Sequence, residues 1–182
     1  FSTLLCIIFK KEKRMSNVFI DSDSVIKHKN FFSIGDNVAI DKGFYCTTKF
    51  SIGDFVHIGP YVTCIGGESG QFLAEGFNNI MAGARIVCAS DRFDDSGLFG
   101  AMIPEEYRGR LIVEPVTMER FSNIGTNAIV LPGSTLREGV LLCAGSLLMG
   151  DTEAWGVYKG NPAKLVKKIN RNNILKKAES LL

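Results

Sequence analysis

Aliphatic residues recur at every sixth position over most of this chain. Between residues 118 and 148 the series is unbroken, with Met118, Ile124, Val130, Leu136, Leu142 and Leu148. Four positions after each of the first five stands a small or β-branched residue: Ser122, Ala128, Ser134, Val140 and Ser146. An earlier series keeps the same period, with Ile34, Ile40, Cys46, Ile52, Ile58 and Cys64. Shorter stretches occur at Ile20 and Ile26 and at Ile80 and Ile86.

This period fits neither a strand, whose side chains alternate, nor a helix with its 3.6 residues per turn. Turn-forming residues fall regularly within the repeats, including Gly35, Gly53, Gly59 and Gly125. Each hexad is therefore predicted to be one short strand followed by one corner. Three hexads close a triangular coil, and coils stack at the strand spacing of about 4.8 Å. The roughly sixteen hexads predict an all-β fold, a parallel β-helix of about five coils.

Two segments break the repeat. From Asp91 to Pro115 it is absent for 25 residues. Such a loop is either a tolerated surface excursion or a functional segment, and its apolar residues, such as Phe93 and Met102, favour the second interpretation because they need a packing partner. At the other end, Asn161 and Pro162 are typical of a helix N-cap and first turn. The predicted organisation is a β-helix over residues 15–160 with the loop 91–115 inserted, then a helical segment over 161–182.

Composition predicts an ordinary globular domain. The chain has 182 residues, of which 46% are hydrophobic and 22% charged. Leu4–Phe9, six apolar residues, is too short to span a bilayer, and no targeting signal is evident. The five cysteines show no CxxC spacing, which argues against a zinc knuckle or a disulfide framework. A reducing, cytoplasmic location is the default expectation.

The first 14 residues affect the charge balance. They begin with Phe and carry four basic residues and one acidic residue, and we interpret them as a non-native or untranslated leader, with synthesis starting at Met15. The whole chain has a net charge of +2, but without this segment 17 basic and 18 acidic residues remain, a net charge of −1. Charge therefore gives no reason to expect a nucleic acid partner.

Three segments make the chain resemble a known family. "SNIGTNAIVLPG" (122–133), "CAGS" (143–146) and "VYKGNPAK" (157–164) are similar to the hexapeptide-repeat acyltransferases, most closely to the sugar O-acetyltransferase branch that modifies surface polysaccharides or their precursors. The resemblance implies a left-handed β-helix, acetyl-CoA as co-substrate with no metal required, and a homotrimer with active sites between subunits. It also implies that the long loop reaches over the active site of a neighbouring subunit.

Acetyl transfer to a hydroxyl needs a base, and a neutral imidazole is well suited to that role. Of the two histidines, His28 is expected to be exposed and inert, whereas His57 stands outside the prism where similar motifs of the sugar branch carry a histidine. Many relatives have their catalytic histidine at the entrance to the long loop, but Asp91 occupies that place here. Asp91 could be the base, orient a histidine or cap the loop. We expect His57 to be the base, with Asp91 a second site residue on the same face, about 9–10 Å away along the axis.

The resemblance also implies a cofactor groove along the last coils. Ala144, Gly145 and Ser146 are small enough for a pantetheine arm to approach the backbone, although corner sterics alone would explain them. The nucleotide and its phosphates would meet the residues of the "GNPAK" region: Lys159, Gly160, Asn161, Lys164 and Lys167. Trp155 could stack on adenine or close the end of the core.

Three functions remain open from the sequence. The first is O-acetylation of a sugar in a surface polysaccharide or in its nucleotide- or lipid-linked precursor. The second is N-acetylation of a nucleotide-linked amino sugar. The third, of a different class, is a structural β-helix without catalysis. Zinc chemistry on such a prism would need about three histidine ligands, and the chain has only two histidines.

Overall fold

A computed structural model describes residues 17–27 and 32–182, so the leader hypothesis for residues 1–14 and the interpretation of His28 lie outside the described residues. Short strands form three parallel sheets, the faces of a triangular column. The first face contains β1 (Val18–Ile20), β4 (Val38–Ile40), β7 (Val56–Ile58), β10 (Asn78–Ile80), β15 (Asn123–Ile124), β18 (Leu141–Leu142) and β20 (Gly156–Gly160). The second contains β2 (Val25–Ile26), β5 (Tyr45–Cys46), β8 (Thr63–Ile65), β11 (Arg85–Val87), β16 (Ile129–Val130) and β19 (Leu147–Leu148). The third contains β3 (Phe32–Ile34), β6 (Lys49–Ile52), β9 (Gln71–Ala74), β14 (Val116–Met118) and β17 (Thr135–Leu136).

The expected left-handed parallel β-helix is confirmed, but the number of coils is larger than predicted. The column has about seven turns, and seven strands stack on its first face. The repeat count missed β9 and β20. The turn at 66–70 delays β9, so that its inward Ala74 comes ten residues after Cys64 instead of six. β20 carries Tyr158 ten residues after Leu148, where two hexads would need twelve, so neither position continues the period.

The repeat-defining aliphatic residues form the core because they share one inward position on successive coils. Ile40, Ile58 and Ile80 lie in register along the first face, and all are fully buried. Three phenylalanines, Phe44, Phe50 and Phe72, are also fully buried and fill the core of the N-terminal half. Each such side chain contributes about 1.5–3 kcal/mol on burial. Stacking therefore makes one continuous core that no single coil could form alone.

The corner between the third and first faces carries a column of aromatic side chains. Phe55, Phe77, Phe121 and Trp155 all have left-handed backbone conformations, with φ between 54° and 63°. This conformation normally favours glycine. Here the rings contact one another from coil to coil. Phe55 and Phe77 stack with centroids 4.7 Å apart, Phe121 and Trp155 stack at 6.2 Å, and Phe77 and Phe121 are tilted at 5.0 Å. Aromatic stacking from coil to coil offsets part of the backbone cost.

The interruption after β11 is an arm rather than a structureless loop. It starts and ends in an antiparallel hairpin, β12 (Ala89–Asp91) and β13 (Leu111–Val113), and contains a 3₁₀ turn at Glu105–Tyr107. Within it the Asp94 carboxylate pairs with Arg92 and Arg110. Phe93 is 80% exposed and Met102 94% exposed. The arm thus presents apolar side chains away from its own column.

The prediction of a helix starting at Asn161 is wrong. Residues 161 and 162 form the turn of a hairpin, after which β21 (Ala163–Lys168) pairs antiparallel with β20. Residues 163–168, which we predicted to belong to the helical segment, form a strand instead, because pairing with β21 covers the otherwise open edge of β20. The helix α1 spans Asn172–Glu179 only. No helix in the described ranges is long and apolar enough to cross a membrane.

Candidate functional site

His57 is the central residue of β7, and its side chain points out of the first face. Its neighbours in register are Ala39 on the preceding coil and Asn79 on the following one. The imidazole is held through both nitrogens: Nε2 lies 2.9 Å from Asp41 Oδ2, and Nδ1 lies 3.1 Å from Asn79 Oδ1. The side chain is 49% exposed. His57 is therefore accessible to a ligand and fixed in orientation by two polar partners.

The sequence did not identify Asp41 or Asn79. Asp41 directly follows the inward Ile40, and its carboxylate reaches forward to the next coil. Asn79 lies 22 residues after His57 rather than 18, because the turn at 66–70 lengthens the intervening coil. A search at the ideal coil length of about 18 residues would point to residue 75 instead. The sequence predicts the contact between His57 and Asn79 only if the four extra residues in this coil are taken into account.

Asp91 does not lie near His57 within the column as expected. It belongs to β12, at the base of the arm, after the chain has left the second face through β11. Because residues 64–74 form a single lengthened hexad, Ile86 is not two whole coils beyond Ile52: Ile52 lies on the third face and Ile86 on the second. The prediction that His57 and Asp91 share a face is therefore wrong. Asp91 remains half-buried at the root of the arm.

A path of mostly small and polar residues runs from His57 toward the C-terminal coils. On the coils that follow His57, the outward-facing residues of the first face are Asn79, Asn123 and Leu141, and the next strand is β20. Four rung spacings separate His57 from β20, a distance of about 19 Å. At the adjacent corner Ala144 and Gly145 are exposed, and no atom lies within 4 Å of the place that a Cβ on Gly145 would occupy. An extended chain can approach the backbone here.

Ser146 differs from its two neighbours. Its side chain is buried, and its hydroxyl accepts a hydrogen bond from the Gly160 N–H at 3.1 Å. Ser146 therefore holds the β20–β21 hairpin against the last coil instead of lining the groove. Of the three small residues expected to admit a pantetheine arm, Ala144 and Gly145 are the two that the structure leaves accessible.

The hairpin concentrates positive charge. Lys159 and Lys164 face each other directly across β20 and β21, and both are exposed, as are Lys167 on β21 and Asn161 in the turn. None of these three lysines forms an ion pair with the residues that the structure describes, whereas Lys168 is bound to Glu153 at 2.8 Å. Like charges directly opposite each other on a sheet are destabilising. This pair is suited to an anion that would relieve the repulsion.

Trp155 is the last ring of the aromatic corner column and is too buried to stack on a ligand. It is only 7% exposed, lies over Gly139 and stacks on Phe121. Its indole N–H donates to Glu138 Oε2 at 3.1 Å. In the described part of the chain no group of three or more His, Cys, Asp or Glu side chains could hold a metal ion.

Comparison with known proteins identifies the family, although no family model matches the chain. A dTDP-4-amino-4,6-dideoxy-D-glucose acyltransferase of Escherichia coli is 31% identical over 137 residues, covering 72% of this chain and 69% of the relative. AntD, an N-acyltransferase from Bacillus cereus solved with dTDP and 3-hydroxybutyryl-CoA, superposes with a TM-score of 0.84 at 30% identity, covering 92% of this chain and 89% of AntD. The galactoside O-acetyltransferase of Escherichia coli K12 is 22% identical over 165 residues, covering 88% of this chain and 70% of the relative. The chain belongs to the hexapeptide-repeat acyltransferases.

Proposed function

We propose that this protein transfers an acyl group from acyl-CoA to the amino group of a nucleotide-linked amino sugar. The observation that carries the proposal is the similarity to AntD, which extends over nearly the whole of both chains. AntD was solved in a complex with dTDP and an acyl-CoA. The acyltransferase from Escherichia coli, whose name specifies a dTDP-linked amino sugar, supports the same substrate class. These relatives favour N-acylation over the O-acetylation that the sequence first suggested.

The geometry of the first face fits an acyl-CoA. The phosphates would bind at the hairpin lysines, Lys159, Lys164 and Lys167, where positive charge is unpaired in the described structure. From there the pantetheine arm would pass Ala144 and Gly145 toward His57. The path of about 19 Å, four rungs, is comparable to an extended pantetheine arm. The thioester would then lie beside the imidazole.

The chemistry requires little beyond position and a base. The amine nitrogen of the sugar attacks the thioester carbonyl, the C–N bond forms, the C–S bond breaks and the CoA thiolate leaves. His57 accepts the proton that the nitrogen loses and returns it to the departing sulfur. Holding two substrates on one rigid face supplies much of the acceleration, because their encounter becomes effectively unimolecular.

We further propose a homotrimer in which the arm of each subunit reaches the first face of its neighbour. The exposed apolar residues of the arm, including Phe93, Phe99 and Met102, support this arrangement because they find no cover on their own column. It would also bring Asp91 toward the His57 of the neighbouring subunit. Light scattering on the purified protein tests the assembly, and a monomeric mass at assay concentration would contradict it.

A matched pair of acceptors tests the reaction. We expect CoA thiol release with dTDP-4-amino-4,6-dideoxyglucose and none with the analogue that has a hydroxyl at the same carbon. Mass spectrometry of the product identifies the acylated atom, and parallel reactions with acetyl-CoA and 3-hydroxybutyryl-CoA define the acyl group. Turnover of the hydroxyl analogue alone would support O-acetylation instead. CoA that binds the folded protein should add about 2.7 kcal/mol of stability at a concentration of 100 times its Kd. If neither acceptor reacts and CoA does not stabilise the protein at any concentration, the non-catalytic alternative gains support.

Paired substitutions test the assignment of the base. His57→Asn should lower kcat by about 10²–10⁴, the usual contribution of a general base. Asp91→Asn should lower it less if Asp91 only orients the site. Asp95→Asn, which removes an exposed carboxylate elsewhere on the arm, serves as the control. Near-normal turnover in His57→Asn combined with loss in Asp91→Asn would make Asp91 the base.

A further inference from the structure

His57 has no free ring nitrogen in this structure, and this observation constrains how it could act. A neutral imidazole carries one N–H and one lone pair. The Asp41 carboxylate, 2.9 Å from Nε2, can only accept a hydrogen bond when ionised, so Nε2 must carry the hydrogen. Nδ1 is then the basic nitrogen. It lies 3.1 Å from Asn79 Oδ1, an acceptor, so the side-chain amide must turn its Nδ2 toward Nδ1 to donate to it while the ring is neutral.

We infer that Asp41 fixes the tautomer of His57. We also infer that the side-chain amide of Asn79 occupies the position beside Nδ1 in the free enzyme, and that the amino group of the acceptor displaces it during the reaction. This inference rests on the proposed N-acyltransfer. An amide can fill that place in either protonation state of the ring: its Nδ2 donates to a bare Nδ1, and its Oδ1 accepts from a protonated one. The two amide atoms are interchangeable by a flip of the side chain. In the described residues no other hydrogen bond holds the side-chain amide of Asn79 in one orientation.

The direction of the ring supports the same assignment. Asp41 lies on the N-terminal side of His57 and Asn79 on the C-terminal side, because the three residues belong to successive coils. Nδ1 therefore points along the column toward the coils through which the pantetheine arm would approach. An amine that replaces the Asn79 amide would sit between the base and the thioester, which is the order that proton removal during attack requires.

The charges around the ring are few. Asp41 is the one charged group of the described structure in direct contact with the imidazole. Beside Asp41 at the same corner, Lys42 pairs with Asp23 at 3.0 Å, and Asp21 and Tyr61 also lie near Lys42. The strands that flank His57 contribute Ala39 and Asn79, both uncharged. Changes in charge at position 41 or 79 should therefore affect the ring directly.

The tautomer can be read without any measurement of activity. The chain has two histidines, so ¹⁵N spectra of the imidazoles are simple, and His28→Gln assigns them. At a pH where His57 is neutral we expect Nε2 to be protonated and Nδ1 bare. Adding dTDP-4-amino-4,6-dideoxyglucose should shift the Nδ1 resonance of His57 and the side-chain amide of Asn79. A protonated Nδ1 in the neutral ring would overturn the inference.

Kinetics separate the roles of the two partners. Asp41→Asn should lower kcat at least 10-fold, because it admits the wrong tautomer, and should move the acidic limb of the pH profile to lower pH, because it removes a negative charge beside the imidazolium. Asn79→Asp should move that limb to higher pH. Asn79→Ala should lower KM for the amino sugar about 2- to 10-fold, the worth of the hydrogen bond that the amine no longer has to displace.

The controls distinguish this inference from the proposed function. Asp23→Asn removes a carboxylate of the same corner that does not touch His57, and Asn173→Ala removes an exposed amide from α1; neither should change the pH profile or the acceptor KM. An active enzyme whose Asn79→Ala variant raises the acceptor KM and loses kcat overturns the inference alone. An enzyme that acylates no amino sugar overturns the proposed function as well.

Discussion

Asn78 provides the most quantitative test of how the column is joined across the arm. It is only 2% exposed, and its side chain connects the coil before the arm to the coil after it. Its Oδ1 accepts from the Gly76 N–H at 2.9 Å, and its Nδ2 donates to the carbonyls of Glu119 and Ser122, both at 2.9 Å. Glu119 O also receives the Ser122 hydroxyl at 2.7 Å. Removing the amide therefore leaves two groups, Gly76 N–H and Ser122 C=O, without their hydrogen-bonding side chain.

An unsatisfied buried donor or acceptor costs about 1–3 kcal/mol, so Asn78→Ala should lower the free energy of unfolding by about 2–6 kcal/mol. Asn78→Asp has the same shape but directs a carboxylate at the Ser122 carbonyl, which raises the pKa of the introduced carboxyl. Its destabilisation should be full above that raised pKa and shrink as the pH falls and the group becomes a neutral donor.

Urea unfolding measures both effects, with the fluorescence of the single Trp, Trp155, as probe. Protein concentration is matched between samples, because assembly would contribute to stability. Asn127→Asp, at an exposed corner, is the control and should change little at any pH. A loss below about 0.5 kcal/mol for Asn78→Ala would refute the reasoning, as would a pH-independent loss for Asn78→Asp.

Three further predictions concern charge and the core. Lys164→Glu should raise KM for acyl-CoA about 10-fold without lowering the Tm, because it removes the proposed phosphate contact and relieves a like-charge pair. Burial raises the pKa of the Cys64 thiol well above its ordinary value, so Ellman's reagent should modify Cys64 only after unfolding, whereas the half-buried Cys143 should react in the native protein. A hydrogen bond from Thr135 and the Arg137 guanidinium lower the pKa of Asp151. The stability that Asp151→Asn removes should be complete at pH 7 and should shrink as the pH falls through that lowered pKa, as urea unfolding at a series of acidic pH values would show.

The repeat predicted the fold well because its cause is local. Each inward aliphatic residue, such as Ile58 or Leu142, must contact the same position one coil away, and where no residues are inserted this requirement produces a fixed period. The prediction of helix at Asn161 failed for a non-local reason. Whether residues 163–168 wind into a helix or pair as a strand depends on the open edge of β20, which a short window of sequence does not contain.

The site was harder to predict than the fold. His57 could be singled out by residue type and the hairpin lysines by the resemblance of the "GNPAK" region, and the structure places both along the first face. Asp41 and Asn79 could not be found, because their contacts depend on how many residues each coil contains. The position of Asp91 was mistaken for the same reason: an error of one hexad moves a residue to a different face of the column. Counting along a β-helix is reliable only up to the first irregular corner.

Because the coils stack at a constant spacing, the column sets distances along its axis in equal steps. The separation between His57 and the Lys159–Lys164 hairpin is a whole number of coils, so evolution or an engineer can change it only in increments of about 4.8 Å. Duplicating residues 125–142, one complete coil, would preserve the register of every strand pair and move the hairpin about 4.8 Å farther from the imidazole. The lengthened protein should fold as before, and under the proposed binding mode the thioester would lie one strand spacing short of the proposed base, His57. In this architecture the number of coils between two sites determines how long a ligand must be to contact both.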